Sequence, residues 1–107
     1  MSSLKPIPAD IRLRELQDYV RHMYIERGFT GQTIDREFMG LVEEVGELAE
    51  VIKNVTRPNR NKGKTYDIGA EIADVMLYII CIANRMDVDI ASEIEKKEAI
   101  NRQRAWV

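Results

Sequence analysis

Apolar residues recur along this chain at intervals of three and four positions, which is the period of an α-helix and not of a β-strand. Asp and Thr favour the starts of helices and Gly favours their ends, so Asp10, Thr33 and Asp89 are predicted N-caps and Gly28 a predicted helix end. The chain is therefore predicted to be all-α with a fold like a four-helix bundle. The predicted helices cover residues 10–28, 34–54, 68–84 and 90–104.

The third predicted helix, residues 68–84, is apolar on nearly every side, which predicts that it lies in the core. Its only charged residues are Glu71 and Asp74. At a spacing of three residues, their side chains share one face, one turn apart. Burying two like charges costs several kcal/mol unless a cation compensates them. We expect the compensating group to be an oxygen-seeking metal or a set of Lys and Arg side chains.

The second predicted helix carries the acids Glu43, Glu44, Glu47 and Glu50. A solvated acidic face is one interpretation of this run. Gly40 and Val51 lie on the same stripe as Glu44 and Glu47, however, and a solvated face rarely uses these residue types. No Lys or Arg lies four residues from any of these acids to relieve their repulsion. The stripe is therefore predicted to face another helix.

Two helices thus each carry a pair of acids three residues apart, and side by side they would direct four carboxylates into one cleft. A cluster of oxygen ligands suits Mg²⁺ or Mn²⁺, with water or substrate phosphates completing the coordination. The four predicted ligands are Glu44, Glu47, Glu71 and Asp74.

Composition narrows the class of protein further. The chain has 107 residues, a net charge of −2 and a single Cys. These features predict one domain in a reducing cytoplasm and argue against binding to nucleic acid or a membrane surface. The longest apolar run has nine residues, about half of what a bilayer requires. Residues 1–9 are predicted to be an N-terminal arm and residues 10–107 the domain, with enough apolar residues for a subunit interface.

The acid pattern resembles a known signature. Glu43-Glu44-x-x-Glu47, followed after 23 residues by Glu71-x-x-Asp74, is similar to the motif of the MazG-like nucleotide pyrophosphohydrolases, within the all-α NTP pyrophosphohydrolase superfamily. The flanking segments EEVGELAEVIK and EIADVMLYIICIA agree with it. So does a last helix that carries Lys97, Asn101 and Arg104 on one face. The resemblance covers residues 13–105.

The resemblance implies Mg²⁺-dependent hydrolysis of nucleoside triphosphates to monophosphate and pyrophosphate, by a homodimer or homotetramer. It assigns the metal to Glu44, Glu47, Glu71 and Asp74. An acid that is not fully engaged with metal can accept the proton of the attacking water. Glu43 and Glu47 are the candidates for this catalytic role.

Substrate contacts are predicted on several elements. Lys97 with Asn101 resembles the phosphate- or nucleotide-contacting pair of the family, and Arg104 belongs to the same motif. Tyr78 follows Asp74 by one turn and is predicted to face the site. Further basic candidates for the phosphates are Lys53, Arg57, Arg60, Lys62 and Lys64. The candidates for base recognition are Gln17, Tyr24 and Phe38.

Three functions are compatible with these features. The first is the house-cleaning hydrolysis of non-canonical or surplus (deoxy)nucleoside triphosphates. The second is an activity like that of phosphoribosyl-ATP pyrophosphohydrolase, which would share the metal-binding acids. The third is a non-catalytic helical module that binds metal or nucleotide.

Overall fold

The computed structural model of this protein describes residues 2–57 and 65–105. In these ranges the chain is helical with no strand, which confirms the all-α prediction. None of the helices in the described ranges is long and apolar enough to cross a membrane. Residues 58–64, which connect the second and third predicted helices, lie outside the described ranges. The second helix continues past its predicted end at residue 54 to include Val55 and Thr56. The helices are α1 (Leu13–Glu26), α2 (Ile34–Thr56), α3 (Ile68–Arg85) and α4 (Ile90–Arg102).

Capping residues lie at the end of α1 and at the starts of α3 and α4. Gly28 has a φ of 76° just after α1 and so ends the helix in the left-handed conformation that glycine adopts freely. Asp89 precedes α4, where the Ser92 N–H donates to its carboxylate. Asp67 caps α3 in the same way, with the Ala70 N–H as donor at 2.9 Å. Each cap satisfies a backbone donor that the helix itself leaves unpaired.

The predicted start of the first helix is wrong. Asp10 lies in a turn, and the N-cap of α1 is Arg12, whose side chain makes no capping hydrogen bond. The Ile11 N–H donates to the Pro8 carbonyl at 3.2 Å. This turn delays the helix, because it holds the chain before residue 12 in a non-helical path. The division into an arm and a domain stays a prediction.

The core lies where α1 packs on α3. Its buried members are Val20 and Met23 from α1 and Ile80 from α3. Helix α3 packs along α2 on another side, and α4 packs on α1. Partly buried residues surround this core, namely Leu4, Leu16, Tyr19, Leu77, Cys81 and Ile90.

Helix α3 is not buried on all sides, contrary to the prediction. Ile72 and Met76 are 48% and 46% exposed, because α1 and α2 cover only part of the helix. The Cα radius of gyration is 17.0 Å, against about 13 Å for a compact domain of this length. A single chain therefore leaves a wide apolar face uncovered. Its exposed members on α2 and α3 include Phe38, Val42, Val45, Ile52, Ile72, Met76 and Ile79.

Candidate active site

Helices α2 and α3 bring the two predicted acid pairs together. One carboxylate oxygen from each of Glu44, Glu47 and Glu71 lies within 4.8 Å of the other two. We call these three residues the acid cluster. Asp74 lies one turn further along α3, is exposed and does not belong to this group of three. Its charge nevertheless acts on both Glu44 and Glu71, so all four predicted ligands share one region.

A close approach of the two helices makes this arrangement possible. Gly40 faces the ring of Tyr78, and a Cβ added at Gly40 would lie 2.5 Å from Cε1 of that ring. Only glycine leaves room for the ring there. One turn beyond the acids of α2, Val51 is buried. Gly40, Glu44 and Val51 thus lie against the protein, as predicted, whereas Glu47 on the same stripe is exposed.

The acid cluster is electrostatically unfavourable without a cation. Burial, followed by the charges of Glu47 and Asp74, raises the pKa of Glu44. Burial and the same two neighbours raise the pKa of Glu71. None of the ion pairs within residues 2–57 and 65–105 involves the cluster or Asp74. Of the two predicted kinds of compensating group, the described residues thus offer no Lys or Arg.

Two oxygens of the cluster are also left without hydrogen bonds. Oε2 of Glu44 and Oε2 of Glu71 are buried and accept none from any residue that the structure describes. Buried polar atoms in folded proteins nearly always have a partner. Carboxylate oxygens are the ligands that hard divalent cations prefer. The donor set and its unsatisfied oxygens therefore suit a divalent cation.

Glu43 and Tyr78 flank the cluster. Glu43 is exposed and adjacent to Glu44 in sequence, outside the group of three oxygens. Burial and the charges of Glu44 and Glu43 raise the pKa of Tyr78. The Tyr78 hydroxyl is therefore a hydrogen-bond donor at neutral pH.

A pocket of about 210 Å³ lies beside the cluster, between α1, the start of α2 and α3. Tyr24 and Phe29 form an edge-to-face pair in its wall, with ring centroids 5.8 Å apart. Aromatic walls suit a planar base. We call this cavity the aromatic pocket. Its lining residues are Met23, Tyr24, Phe29, Gln32, Glu37, Asp74, Leu77, Tyr78 and Cys81.

Of the three residues predicted to recognise the base, only Tyr24 lines the aromatic pocket. Phe38 is 54% exposed and lies outside it. Gln17 is 5% exposed and has a structural role, since its amide donates to the Val88 carbonyl at 2.9 Å and accepts from the Ile90 N–H at 2.9 Å. Sequence reasoning missed Phe29 and Glu37. An aromatic residue directly after the helix-ending glycine was the available signal for Phe29, whereas nothing local indicated Glu37.

Among the described residues that are predicted to bind phosphate, Lys97 lies away from the acid cluster. Lys97 lines a groove along the C-terminal half of α3, whereas the acids lie along its N-terminal half. Lys53 is half-buried near the end of α2, and Arg57 is exposed just after it. Asn101 is half-buried in α4, and Arg104 is exposed beyond its end. The predictions for Arg60, Lys62 and Lys64 lie outside the described residues.

Comparison with known proteins identifies the class. The family model of the MazG nucleotide pyrophosphohydrolase domain matches residues 32–104, which contain the acid cluster and α2 to α4. The chain belongs to this family, and the resemblance drawn from the acid motif is confirmed.

Individual relatives are similar over shorter stretches. Mouse dCTP pyrophosphatase 1 is 37% identical over 71 residues, which cover 62% of this chain and 42% of the relative. The rat protein of the same name is 35% identical over 71 residues, with the same coverage. Gene 37 protein of Mycobacterium phage L5 is 35% identical over 66 residues, or 54% of each chain. The matches thus span about half the length of these curated relatives.

Proposed function

We propose that this protein hydrolyses (deoxy)nucleoside triphosphates to nucleoside monophosphate and pyrophosphate with the help of Mg²⁺. The observation that carries the proposal is the acid cluster. In it, Glu44 and Glu71 have raised pKa values, and each has a buried oxygen that accepts no hydrogen bond from the described residues. Family membership supports the same reaction. The proposed role is house-cleaning of the nucleotide pool.

The residues that would hold Mg²⁺, or Mn²⁺ in its place, are Glu44, Glu47, Glu71 and Asp74. The bound ion supplies positive charge that neutralises triphosphate oxygens and orients the reacting groups. A set of carboxylates that forms no ion pair with the described residues suits such an ion.

The protein's own groups supply the proton chemistry. Water attacks the α-phosphorus, the bond from that phosphorus to the bridging oxygen breaks, and pyrophosphate leaves. The carboxylate of Glu43 accepts the proton of the water, with Glu47 as the other candidate base. The Tyr78 hydroxyl, which is protonated at neutral pH, donates to a phosphate oxygen.

The nucleoside would occupy the aromatic pocket. Asp74 and Tyr78 line that pocket and also interact electrostatically with Glu44, so the pocket adjoins the acid cluster. A nucleotide with its base against Tyr24 and Phe29 would then extend its phosphates toward the acids. The names of the mouse and rat relatives favour dCTP among the possible substrates.

A second copy of the chain would complete the site. The large apolar side chains of this face on α2 and α3 are 39–54% exposed, and exposed apolar patches mark interaction surfaces. Pairing of this face in a homodimer or homotetramer would bury it. The same pairing would let Lys53, Lys97, Asn101 and Arg104 of one subunit reach the phosphates bound at the acids of another.

Pyrophosphate release from a panel of canonical and damaged (deoxy)nucleoside triphosphates, with phosphoribosyl-ATP included, tests this function. Each reaction is run with Mg²⁺ and again with EDTA. We expect release that depends on Mg²⁺, with the monophosphate as the other product. Metal-dependent nucleotide binding without any release across the panel would contradict the proposal and favour a non-catalytic module.

A further inference from the structure

A buried carboxylate lies in the wall of the aromatic pocket. Glu37, in the first turn of α2, is 2% exposed and lines the pocket with Tyr24 and Phe29. Oε2 of Glu37 lies 3.3 Å from Nε of Arg85, the last residue of α3. The reaction proposed above does not use either residue.

The carboxylate of Glu37 is held in a fixed place. Arg85 donates to the Tyr24 hydroxyl at 2.9 Å and to the Gln32 carbonyl. Burial, followed by its hydrogen bond to Glu37, raises the pKa of Tyr24. Glu37, Arg85 and Tyr24 thus form one network that joins the three elements around the pocket.

The network leaves the carboxylate with spare capacity to accept hydrogen bonds. A carboxylate can accept about four. Oε2 of Glu37 accepts none with good geometry from the residues that the structure describes, despite the nearby guanidinium. Burying a carboxylate among aromatic and aliphatic side chains is costly when hydrogen bonds are missing. A ligand that donates to this carboxylate would remove that cost.

We propose that Glu37 makes the aromatic pocket select a base that carries an exocyclic amino group at C4 of a pyrimidine or C6 of a purine. Cytosine and adenine present an amino donor, which pairs with a carboxylate acceptor. Uracil and thymine present a carbonyl oxygen at the corresponding position, which a carboxylate repels. This inference rests on the proposed function, because it takes the pocket as the binding site for the base.

The test separates base selection from turnover. Calorimetry measures the binding of dCMP and dUMP to the wild type and to Glu37→Gln, and steady-state kinetics measures kcat/KM for dCTP and dUTP. We expect the wild type to prefer the cytosine nucleotide. In Glu37→Gln the amide oxygen faces Arg85 and the amide N–H₂ faces the pocket, so the preference for cytosine should fall by about tenfold or more.

Two further variants control for folding. Asp35→Asn removes the same charge from an exposed position in the first turn of α2 and should leave the preference unchanged. Glu37→Asp keeps the acceptor and should retain most of the preference, even where Glu37→Gln is unstable.

Equal binding of dCMP and dUMP to the wild type, or no binding of either, would overturn the inference. So would an equal loss of affinity for both nucleotides in Glu37→Gln together with an unchanged affinity for both in Glu37→Asp. Failure of the proposed function is a separate result. In that case the preference for dCMP is measurable, but no triphosphate releases pyrophosphate.

Discussion

Two polar clusters lie along α3, and they differ in how their buried atoms are paired. At the C-terminal end, the Gln17 side chain exchanges hydrogen bonds with Asn84, Val88 and Ile90. At the N-terminal end, the acid cluster gathers like charges and leaves two buried oxygens with no hydrogen bond from the described residues. The first cluster is complete within the chain and joins α1 to the connection between α3 and α4. The second lacks such partners among the described residues, which supports its proposed role as the metal site.

The largest expected effect is on activity, in Glu71→Gln. Loss of a ligand to the metal should lower kcat/KM by at least about 100-fold, more than is usual for groups that only support the ligands. In EDTA the same variant should melt at a higher temperature than the wild type, because it removes a repelled charge. Pyrophosphate release and thermal melting measure the two effects.

Glu93→Gln is the matched control, since Glu93 is an exposed acid on α4. It should change neither activity nor melting temperature appreciably. Lower stability of Glu71→Gln than of the wild type in metal-free buffer would show that Glu71 is structural.

Substitution in the hydrogen-bonded cluster around Gln17 should lower stability and leave activity unchanged, which is the opposite of the effect of Glu71→Gln. Gln17→Leu removes the side-chain partner of the Val88 carbonyl and of the Ile90 N–H. Asn84 keeps its hydrogen bonds to Arg21 and to the backbone carbonyl of residue 17. The free energy of unfolding should fall by about 3 kcal/mol, while the activity per folded molecule is retained. Urea denaturation measures the loss, with the exposed Gln103→Leu as control. A loss of activity that exceeds the unfolded fraction would place Gln17 in the site.

Substitution of two glycines in α2 tests how closely this helix packs against α3, because the two changes should alter the free energy of unfolding in opposite directions. Gly40→Ala forces the Tyr78 ring to move and should destabilise by about 1 kcal/mol, since overpacking outweighs the gain in helix propensity. Gly46→Ala, on the same helix with no atom within 4 Å of its added Cβ, should stabilise by about 0.5–1 kcal/mol. Equal effects of the two substitutions in urea denaturation would refute the close approach.

The smallest effect is a dependence of stability on pH. The pKa values of Glu44 and Glu71 are raised in the folded state above the ordinary value of 4.5. The folded protein therefore binds more protons than the unfolded chain above that pH, and this contribution to stability is lost as the pH rises. In EDTA the wild type should lose stability toward neutral pH, and Glu44→Gln should lose less. If the stability of the two proteins changed with pH in parallel, Glu44 would not contribute to the pH dependence.

The sequence predicts the elements well because helix periodicity and caps are local properties. Residues 34, 68 and 90 begin helices as expected. Asp10 fails as a cap because the turn closed by Pro8 competes with helix formation. The burial of α3 is overestimated because α1 and α2 cover only part of the helix, and its apolar residues do not reveal which side stays exposed.

The site is predictable only in part, because some of its residues depend on contacts between elements that are far apart in the sequence. The acid pairs stand out because each lies within one helical turn, in a setting where acids are rare. Glu37 depends on Arg85, 48 residues away along the chain, and no pattern within α2 indicates that it is buried. The aromatic pocket likewise depends on tertiary contacts, so the sequence indicates Tyr24 as one of its residues but not Phe29.

The most direct test of the central claim is the melting temperature of the wild type and of Glu71→Gln, each in EDTA and in excess Mg²⁺. Binding to the folded state alone raises the melting temperature. We expect Mg²⁺ to stabilise the wild type clearly and the variant little or not at all. An equal response of both proteins to Mg²⁺, or no response of the wild type, would contradict the assignment of the acid cluster as the metal site.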